Sequence, residues 1–151
     1  MSQWYLDNFT ITTNKNYIDR NMVYKFLSED SYWAKGIPRE TVEKSIDLSM
    51  VCYGIYDGDI NSEHYEQVGF ARVVSDLATL AYVCDVFVLS QYRGKGLSKW
   101  LMEVMTSHLD SQGVRVMMLA TKDAHSLYEK IGFKSVENPE IFMYRANEKK
   151  S

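Results

Sequence analysis

Alternating and continuous apolar runs divide this chain into a regular series of strands and helices. Phe9 to Thr13 alternates apolar and polar residues, which predicts a short first strand. Two helices are predicted after it, one capped by Asp19 and running to about Ser28, the other from Arg39 to about Leu48. Between them lies SYWAKGIP, a loop rich in aromatic residues. The chain therefore begins as strand, helix, helix.

The middle of the chain is predicted to be a sheet that leads into one helix. Strands are expected over Met50 to Tyr56 and Val68 to Val74, followed by Ala81 to Leu89, a continuous apolar run that suits a central position. The short segment QYRGKG ends that run, and beyond it apolar residues recur at helical spacing from Leu97. Two antiparallel strands, a central strand, a tight basic turn and a helix thus follow one another.

The last part of the chain continues the alternation of strand and helix. We predict a strand over Val114 to Ala120, a short helix over Ala124 to Ile131, and a final hairpin with strands at Phe133 to Ser135 and Ile141 to Tyr144. The whole pattern predicts an α+β fold, with a central mixed, mostly antiparallel sheet of about six to seven strands flanked by about four helices. We expect residues 1–151 to form one domain.

Composition changes this picture only by excluding functions. The chain has 151 residues, 46% hydrophobic and 25% charged, which is the size and balance of one globular domain. No apolar run approaches the roughly 20 residues that a membrane span needs, and the start of the chain lacks a secretion signal, so we expect a cytoplasmic protein. The net charge of −3 gives no support for a nucleic-acid partner. The three histidines and two cysteines show no metal-ligand spacing, so no metal is expected.

The turn after the central strand carries the first candidate chemistry. Gly94 and Gly96 can take a positive φ and have no Cβ, so backbone amides can close around a phosphate at the start of the following helix. Arg93, Lys95 and Lys99 add positive charges nearby. We therefore expect this turn to bind a phosphate or a pyrophosphate. The Walker pattern G-x-x-x-x-G-K-S/T is absent, which argues against an ATPase or GTPase.

Two motifs, in order along the chain, resemble those of one enzyme family. Gln91-x-x-Gly94-x-Gly96 is similar to the Q/R-x-x-G-x-G/A signature of the GNAT superfamily of N-acetyltransferases. The segment SLYEKIGF, around Tyr128, resembles the LYEKxGF segment of the same family. The motifs stand at the family's usual separation, and with the flanking strands the resemblance spans about Val68 to Phe133. The predicted order of strands and helices is also that of the GNAT acyl-CoA N-acyltransferase fold.

The resemblance implies a donor, a reaction and a set of cofactor contacts. The donor would be acetyl-coenzyme A, whose acetyl group passes directly to a primary amine of a small molecule or peptide through a tetrahedral intermediate. The pantetheine arm would lie between the central strand and the next one, bonded to main-chain groups, and one amide would polarise the thioester carbonyl. Amides of residues 93–98 would hold the pyrophosphate. The cofactor-binding residues are thus predicted to be Phe87, Val88, Leu89, Gln91, Arg93, Gly94, Lys95, Gly96, Leu97, Ser98, Thr121 and Tyr128.

Two residues are expected to carry the proton transfers. Tyr128 matches the family tyrosine that acts as general acid and protonates the departing thiolate. Asp85 is the best candidate for the base, since a carboxylate inside an apolar strand needs a partner or a cleft. By alternation it shares a face with Phe87 and Leu89, although a bulge in this strand would shift that parity. The alternative for Asp85 is a structural pair with an arginine such as Arg72.

The acceptor site is the least specified part of the sequence. By resemblance it lies between the first two helices and the late strands, and we expect Tyr32, Trp33 and Arg72 to contact the substrate. Aromatic rings and carboxylates would suit a cationic amine, whereas Lys35, Arg39 and Arg72 would suit an acceptor with its own carboxylate or phosphate. Both alternatives stay open at this point, and so does a homodimer.

Two functions other than acetyl transfer also stay open. One is a catalytically degenerate family member that binds acetyl-coenzyme A as a sensor or interaction module. The other is a pure interaction domain, in which the glycine-bearing turn is only a tight connection. The intact turn and Tyr128 favour an acetyltransferase over both.

Overall fold

A six-stranded sheet organises the structure. The computed structural model describes residues 1–148, and residues 149–151 of the predicted domain lie outside the described residues. All neighbouring strands are antiparallel except the fifth and sixth, which are parallel. The predicted mixed, mostly antiparallel sheet is confirmed. In their order across the sheet, the strands are β1 (Gln3–Leu6), β2 (Phe9–Thr12), β3 (Val51–Gly58), β4 (Tyr65–Ser75), β5 (Ala81–Val88) and β6 (Met117–Leu119).

Four α-helices within residues 1–148 flank this sheet, which confirms the predicted α+β class. They are α1 (Arg20–Lys25), α2 (Arg39–Leu48), α3 (Leu97–Ser111) and α4 (His125–Glu129). α1 begins as predicted, because the Asp19 carboxylate accepts a hydrogen bond from the Met22 amide at 3.1 Å, and it continues as a π-helical turn over Phe26–Asp30. Among the described residues, no helix combines the length and the apolar character needed to cross a membrane.

Two apolar clusters lie on opposite faces of the sheet. On one face α3 buries residues such as Met105 against Val83 of β5. On the other face α1 and α2 bury Val23 and Ile46 against β3, β4 and Phe87 of β5. Burial of one such side chain contributes roughly 1.5–3 kcal/mol, so both clusters hold β5 in the middle of the molecule.

Three strand predictions were wrong. A strand that was not predicted, β1, precedes the first predicted strand and joins it through a hairpin in which Asp7 takes a φ of 52°. The sixth strand is shorter than predicted and covers only Met117–Leu119. The predicted final hairpin is not a pair of strands: Phe133 to Ser135 is irregular, and a short 3₁₀ turn spans Pro139–Ile141. The side chains of residues 141–144 are 51–96% exposed, so no buried apolar face compensates for ordering them as a strand.

Candidate active site

β5 and β6 are paired only over their first residues and then separate. The register runs from Ala81 opposite Met117 to Val83 opposite Leu119, and no pair follows. Beyond Val83, β5 keeps its pairing with β4, whereas the chain after β6 leads into α4. Main-chain groups almost always find a hydrogen-bond partner, so the free edge of β5 offers donors and acceptors to a ligand. This gap between β5 and β6 is the centre of the candidate site.

A β-bulge at Asp85 lies where the two strands separate. Arg72 of β4 lies opposite Cys84, and Phe70 lies opposite Phe87, so β5 has one residue more than β4 over this stretch. Asp85 has a φ of 55°, in the left-handed region that residues other than glycine rarely adopt. Strained backbone of this kind clusters at functional sites, which makes the bulge an indication of function.

The bulge also sets which way the following side chains point. Val86 and Val88 contact the cluster under α3, as Val83 does, although strict alternation would place Val83 on the opposite face from them. Phe87 belongs to the cluster under α1 and α2, and Asp85 contacts side chains on that same face. Asp85 and Phe87 therefore share a face as predicted, and the extra residue redirects the chain between them and Val83.

Among the predicted main-chain contacts on β5, only those of Val88 face the gap. Leu89 donates its N–H to the Val68 carbonyl at 2.9 Å, and its own carbonyl accepts from the Tyr92 N–H at 2.9 Å. The bonding direction alternates along an antiparallel strand, so the main-chain groups of Phe87 also point to β4 while those of Val88 point to the gap. There the Val88 carbonyl accepts from Arg93 Nε at 3.2 Å, which leaves the Val88 N–H for a ligand. The main-chain contacts predicted for Phe87 and Leu89 are thus corrected, because β4 and the following turn already use those groups.

The glycine-bearing turn has the conformation that its sequence predicts. Gly94 and Gly96 have φ values of 83° and 76°, and α3 begins directly after Gly96 without a side-chain cap. The first helical bond runs from the Trp100 N–H to the Gly96 carbonyl at 3.0 Å, so the amides of residues 97–99 have no partner inside the helix. The Arg93 amide is already used within the preceding turn. The series of amides available to an anion therefore begins at Gly94.

A cavity of about 210 Å³ lies at this turn, between the end of β5 and α4. Arg93 and Lys99 bring positive charge to the start of α3, where the peptide dipoles also favour an anion. Gln91 and Lys95 of the same segment are exposed and lie outside the cavity wall. A larger hollow of about 720 Å³ beside the β3–β4 turn has several acidic side chains in its wall and would repel a phosphate. The residues that line the smaller cavity are Val88, Tyr92, Arg93, Gly94, Gly96, Leu97, Ser98, Lys99 and Leu127.

Two side chains already hold the Asp85 carboxylate. Arg72 Nε donates to one oxygen at 2.9 Å and Trp33 Nε1 donates to the other at 2.8 Å. The ion pair is largely buried, with the side chains of Arg72 and Asp85 18% and 10% exposed, and Arg72 also donates to the Ser49 hydroxyl at 3.1 Å. Burial alone would lower the pKa of Arg72, but the charge and hydrogen bond of Asp85 outweigh it and raise that pKa. The structure thus contains the arginine pair that was the alternative interpretation of Asp85.

The aromatic loop between α1 and α2 reaches across to the segment after β6. Tyr32 Oη accepts a hydrogen bond from the Lys122 N–H at 3.2 Å, and Lys122 Nζ lies 5.4 Å from the centre of the Tyr32 ring. The rings of Tyr32 and Trp33 are in contact and about half exposed, so they form one wall of the site. Lys122 and Ser49 were not predicted from the sequence. The Tyr32–Lys122 contact joins positions 90 residues apart and leaves no local signature.

Tyr128 lies in α4, half-buried against the cluster under α3. Burial raises the pKa of its phenol, and the proximity of Tyr32 and Asp123 raises it further, so the group keeps its proton at neutral pH. Tyr128 and Thr121 line a cavity of about 370 Å³ between β6, α4 and the segment that follows. Thr121 Oγ1 accepts from the Ala124 N–H at 3.0 Å, which fixes the start of α4 and leaves the Thr121 O–H able to donate.

Comparisons with known proteins point to one family. Residues 52–135 match the family described as acetyltransferase (GNAT) domain. A solved structure of a candidate acetyltransferase assigned to the GNAT family, from Xanthomonas campestris pv. campestris, is 40% identical to this chain. The two structures agree with a TM-score of 0.83, and the match covers 95% of this chain and 96% of that chain.

Two sequence relatives have names of the same kind. A candidate acetyltransferase from Gibberella zeae is 25% identical over 146 residues, which cover 87% of this chain and 82% of that protein. A protein from Haemophilus influenzae, named ribosomal protein bS18-alanine N-acetyltransferase, is 35% identical over 80 residues. That second match covers 50% of this chain and 53% of the relative.

Proposed function

The chain belongs to the GNAT acetyltransferase family, and we propose that it moves the acetyl group of acetyl-coenzyme A directly to a primary amine of a small molecule or peptide. The observation that carries this proposal is the gap between β5 and β6, which ends at the free amides of residues 94–98 and at the positive charges of Arg93 and Lys99. The pantetheine arm of coenzyme A could bond to the free edge of β5 in the gap, and its pyrophosphate could accept from the amides of the turn. The organisation of residues 1–151 as one domain, a cytoplasmic location and a homodimer stay predictions.

We assign the main-chain contact with the pantetheine arm to the Val88 N–H, since the Val88 carbonyl accepts from Arg93, and, by the same alternation, to Val86. An N–H of β5 that faces the gap would polarise the thioester carbonyl, a role worth about 3 kcal/mol in well-studied acyl transfer. The amides from Gly94 to Ser98 would hold the pyrophosphate. The side chains of Gln91, Arg93 and Lys95 are proposed to contact the phosphates, and the Thr121 hydroxyl would donate to the arm.

Tyr128 is proposed as the general acid. The amine nitrogen forms a bond with the thioester carbon, the carbon–sulfur bond breaks, and the phenol of Tyr128 gives its proton to the departing thiolate. The raised pKa supports this role, because a phenol that stays protonated at neutral pH has a proton to give. Solvent restores that proton before the next turnover.

Asp85 is proposed to receive the proton that the amine loses. An ionised carboxylate has about four lone-pair positions, and Arg72 and Trp33 use two of them, so Asp85 can still accept from an amine or a water molecule. Its contacts also orient the Trp33 ring beside the gap. A purely structural pair with Arg72 is the competing role, and the bulge at Asp85 is compatible with both.

The wall of the acceptor site supports an amine that carries apolar or aromatic groups. The charge of Arg72 is balanced by Asp85, so this arginine is not free to bind an acidic acceptor. The half-exposed rings of Tyr32 and Trp33 offer cation–π and apolar contacts instead. The Haemophilus relative is named for an alanine of a ribosomal protein, which supports a peptide amine as one acceptor class.

Thermal unfolding with and without saturating acetyl-coenzyme A tests the proposal. At about 100 times the dissociation constant the ligand should stabilise the wild-type fold by roughly 2.7 kcal/mol, and Gly96→Trp should abolish that gain. Gly113→Trp is the matched control, since Gly113 also has a positive φ and open space around its Cα but ends α3 instead of beginning it. An absence of stabilisation in the wild type would refute the proposal. Stabilisation without acetylation of any amine in a broad screen would favour the sensor.

A further inference from the structure

Tyr92, between Gln91 and Arg93, makes a side-chain contact that the Gln91-x-x-Gly94-x-Gly96 motif does not explain. Tyr92 Oη donates to Asp57 Oδ2 at 2.9 Å, across 35 positions of the sequence. The other oxygen of Asp57 accepts from Asn8 Nδ2 at 2.8 Å. Tyr92, Asp57 and Asn8, here named the Tyr92 anchor, thus connect the turn to the end of β3 and to the β1–β2 hairpin.

Packing and backbone contacts fix Tyr92 at two further points. Its ring meets the ring of Phe9 edge to face, with centroids 6.2 Å apart and an interplanar angle of 87°. Its N–H donates to the Leu89 carbonyl at 2.9 Å. The hydrogen bond to Asp57 raises the pKa of the Tyr92 phenol, so the phenol stays a donor at neutral pH. The hydroxyl, the ring and the backbone of one residue are all held.

The turn that follows has few contacts of its own. A Cβ built on Gly94 or on Gly96 would meet nothing within 4 Å, so neither glycine is confined by neighbouring atoms. Glycine also has the largest conformational freedom to lose when a turn is ordered. The turn is held by Leu97, which is buried in the cluster under α3, and by Arg93 Nε, which donates to the Val88 carbonyl at 3.2 Å. Tyr92, two residues before Gly94, adds the contact that ties the turn to β3 and to the β1–β2 hairpin.

We propose that the Tyr92 anchor positions the turn for the pyrophosphate of acetyl-coenzyme A before the ligand binds. The inference rests on the proposed function and extends it to three residues that the family signature does not specify. Tyr92 acts through the backbone of the turn and not on the reacting atoms, so it is a positioning residue. Its loss should weaken binding of the ligand and leave the chemical step unchanged.

Calorimetric titration with coenzyme A tests this on the full-length protein. Tyr92→Phe and Asp57→Ala should each weaken binding about tenfold, as expected when the ordered turn falls to about a tenth of the ligand-free population. Asp57→Asn should restore most of the affinity, because its amide can still accept from Asn8 and donate to the Tyr92 oxygen. Tyr53→Phe is the matched control, since it removes the 2.7 Å contact of another tyrosine hydroxyl with His108, away from the turn.

Two further readouts separate positioning from a loss of stability. Amide hydrogen exchange at residues 94–98 should become faster in ligand-free Tyr92→Phe and stay unchanged in Tyr53→Phe. With an amine acceptor, Tyr92→Phe should raise the KM for acetyl-coenzyme A and keep kcat. Equal affinity of Tyr92→Phe and wild type, or an equal loss in Tyr53→Phe, would overturn the inference and leave the proposed function intact. Failure of the wild type to bind coenzyme A would overturn both.

Discussion

The two halves of β5 differ in what surrounds them. Its first three residues have β4 on one side and β6 on the other, and the side chains of Ala81 and Val83 are 0% and 3% exposed. From Asp85 to Val88 the strand keeps only β4, contains a bulge and carries a charged side chain in an ion pair. The first half is part of the core, whereas the second half is the centre of the candidate active site.

This difference between the two halves of β5 shows how the binding edge is formed. The main chain of the paired half is bonded to a strand on each edge, and the side chains of Ala81 and Val83 are buried in the core, so this half has no free edge for a ligand. The open half has the same backbone chemistry, but β6 has turned away and its free edge faces a gap. Binding capacity thus comes from the loss of a neighbouring strand, while the apolar residues around it keep the edge rigid.

Breaking the ion pair of the open half should have the largest effect on stability. Arg72→Met leaves the Asp85 carboxylate largely buried without its cation, and we expect it to lower the free energy of unfolding by about 3–5 kcal/mol at neutral pH. Urea unfolding measures this. Arg39→Met is the control, because it removes the exposed Arg39–Glu43 pair and the exposed bond from Arg39 to Asn21 Oδ1, and it should cost only about 1 kcal/mol. Equal losses of unfolding free energy in the two variants would show that the Arg72–Asp85 pair contributes no more to stability than an exposed ion pair does.

Removing the Tyr128 hydroxyl should separate chemistry from folding. Tyr128→Phe is expected to lower kcat about 100-fold, equivalent to about 2.7 kcal/mol, with the affinity for acetyl-coenzyme A retained. Tyr82→Phe, in the paired half of β5, should keep wild-type kcat. The pKa of the Tyr128 phenol is raised, so the acid form is active below that pKa, and the alkaline fall in wild-type kcat should begin only above the ordinary phenol value of 10. A Tyr128→Phe enzyme with wild-type kcat would contradict the assignment.

The smallest effects are expected from truncating valines in the two halves of β5. Val83→Ala should lower the free energy of unfolding by about 2 kcal/mol, because two buried carbon atoms are removed and a small cavity is left. Val86, in the open half, is only half-buried, so Val86→Ala should lower the free energy of unfolding by about 1 kcal/mol. Titration with coenzyme A should give the wild-type affinity for Val83→Ala. A weaker affinity of Val83→Ala for coenzyme A would mean that the paired half of β5 also influences ligand binding.

Local patterns predicted most of the fold but failed where a strand depends on a distant partner. α2 was placed at Arg39–Leu48 from its apolar stripe alone, since a helix makes its hydrogen bonds within itself. Residues 141–144 form a continuous apolar run, as a short strand can, yet their side chains are exposed and no strand pairs with them within residues 1–148. The β1 strand was missed for the opposite reason, because its pairing with β2 compensates for a weak local pattern.

Local sequence patterns were enough to specify the order of the elements from β2 to α4, the glycine-bearing turn and the place of Tyr128. These depend on side-chain period and on the conformational range of glycine, which are local properties of the chain. Long-range packing, by contrast, brings Arg72 and Trp33 to Asp85, turns the main chain of Val88 and not of Leu89 to the gap, and places Asp57 against Tyr92. The side-chain contacts among these join residues 13, 52 and 35 positions apart, and a local pattern contains no information about which distant residue will arrive there.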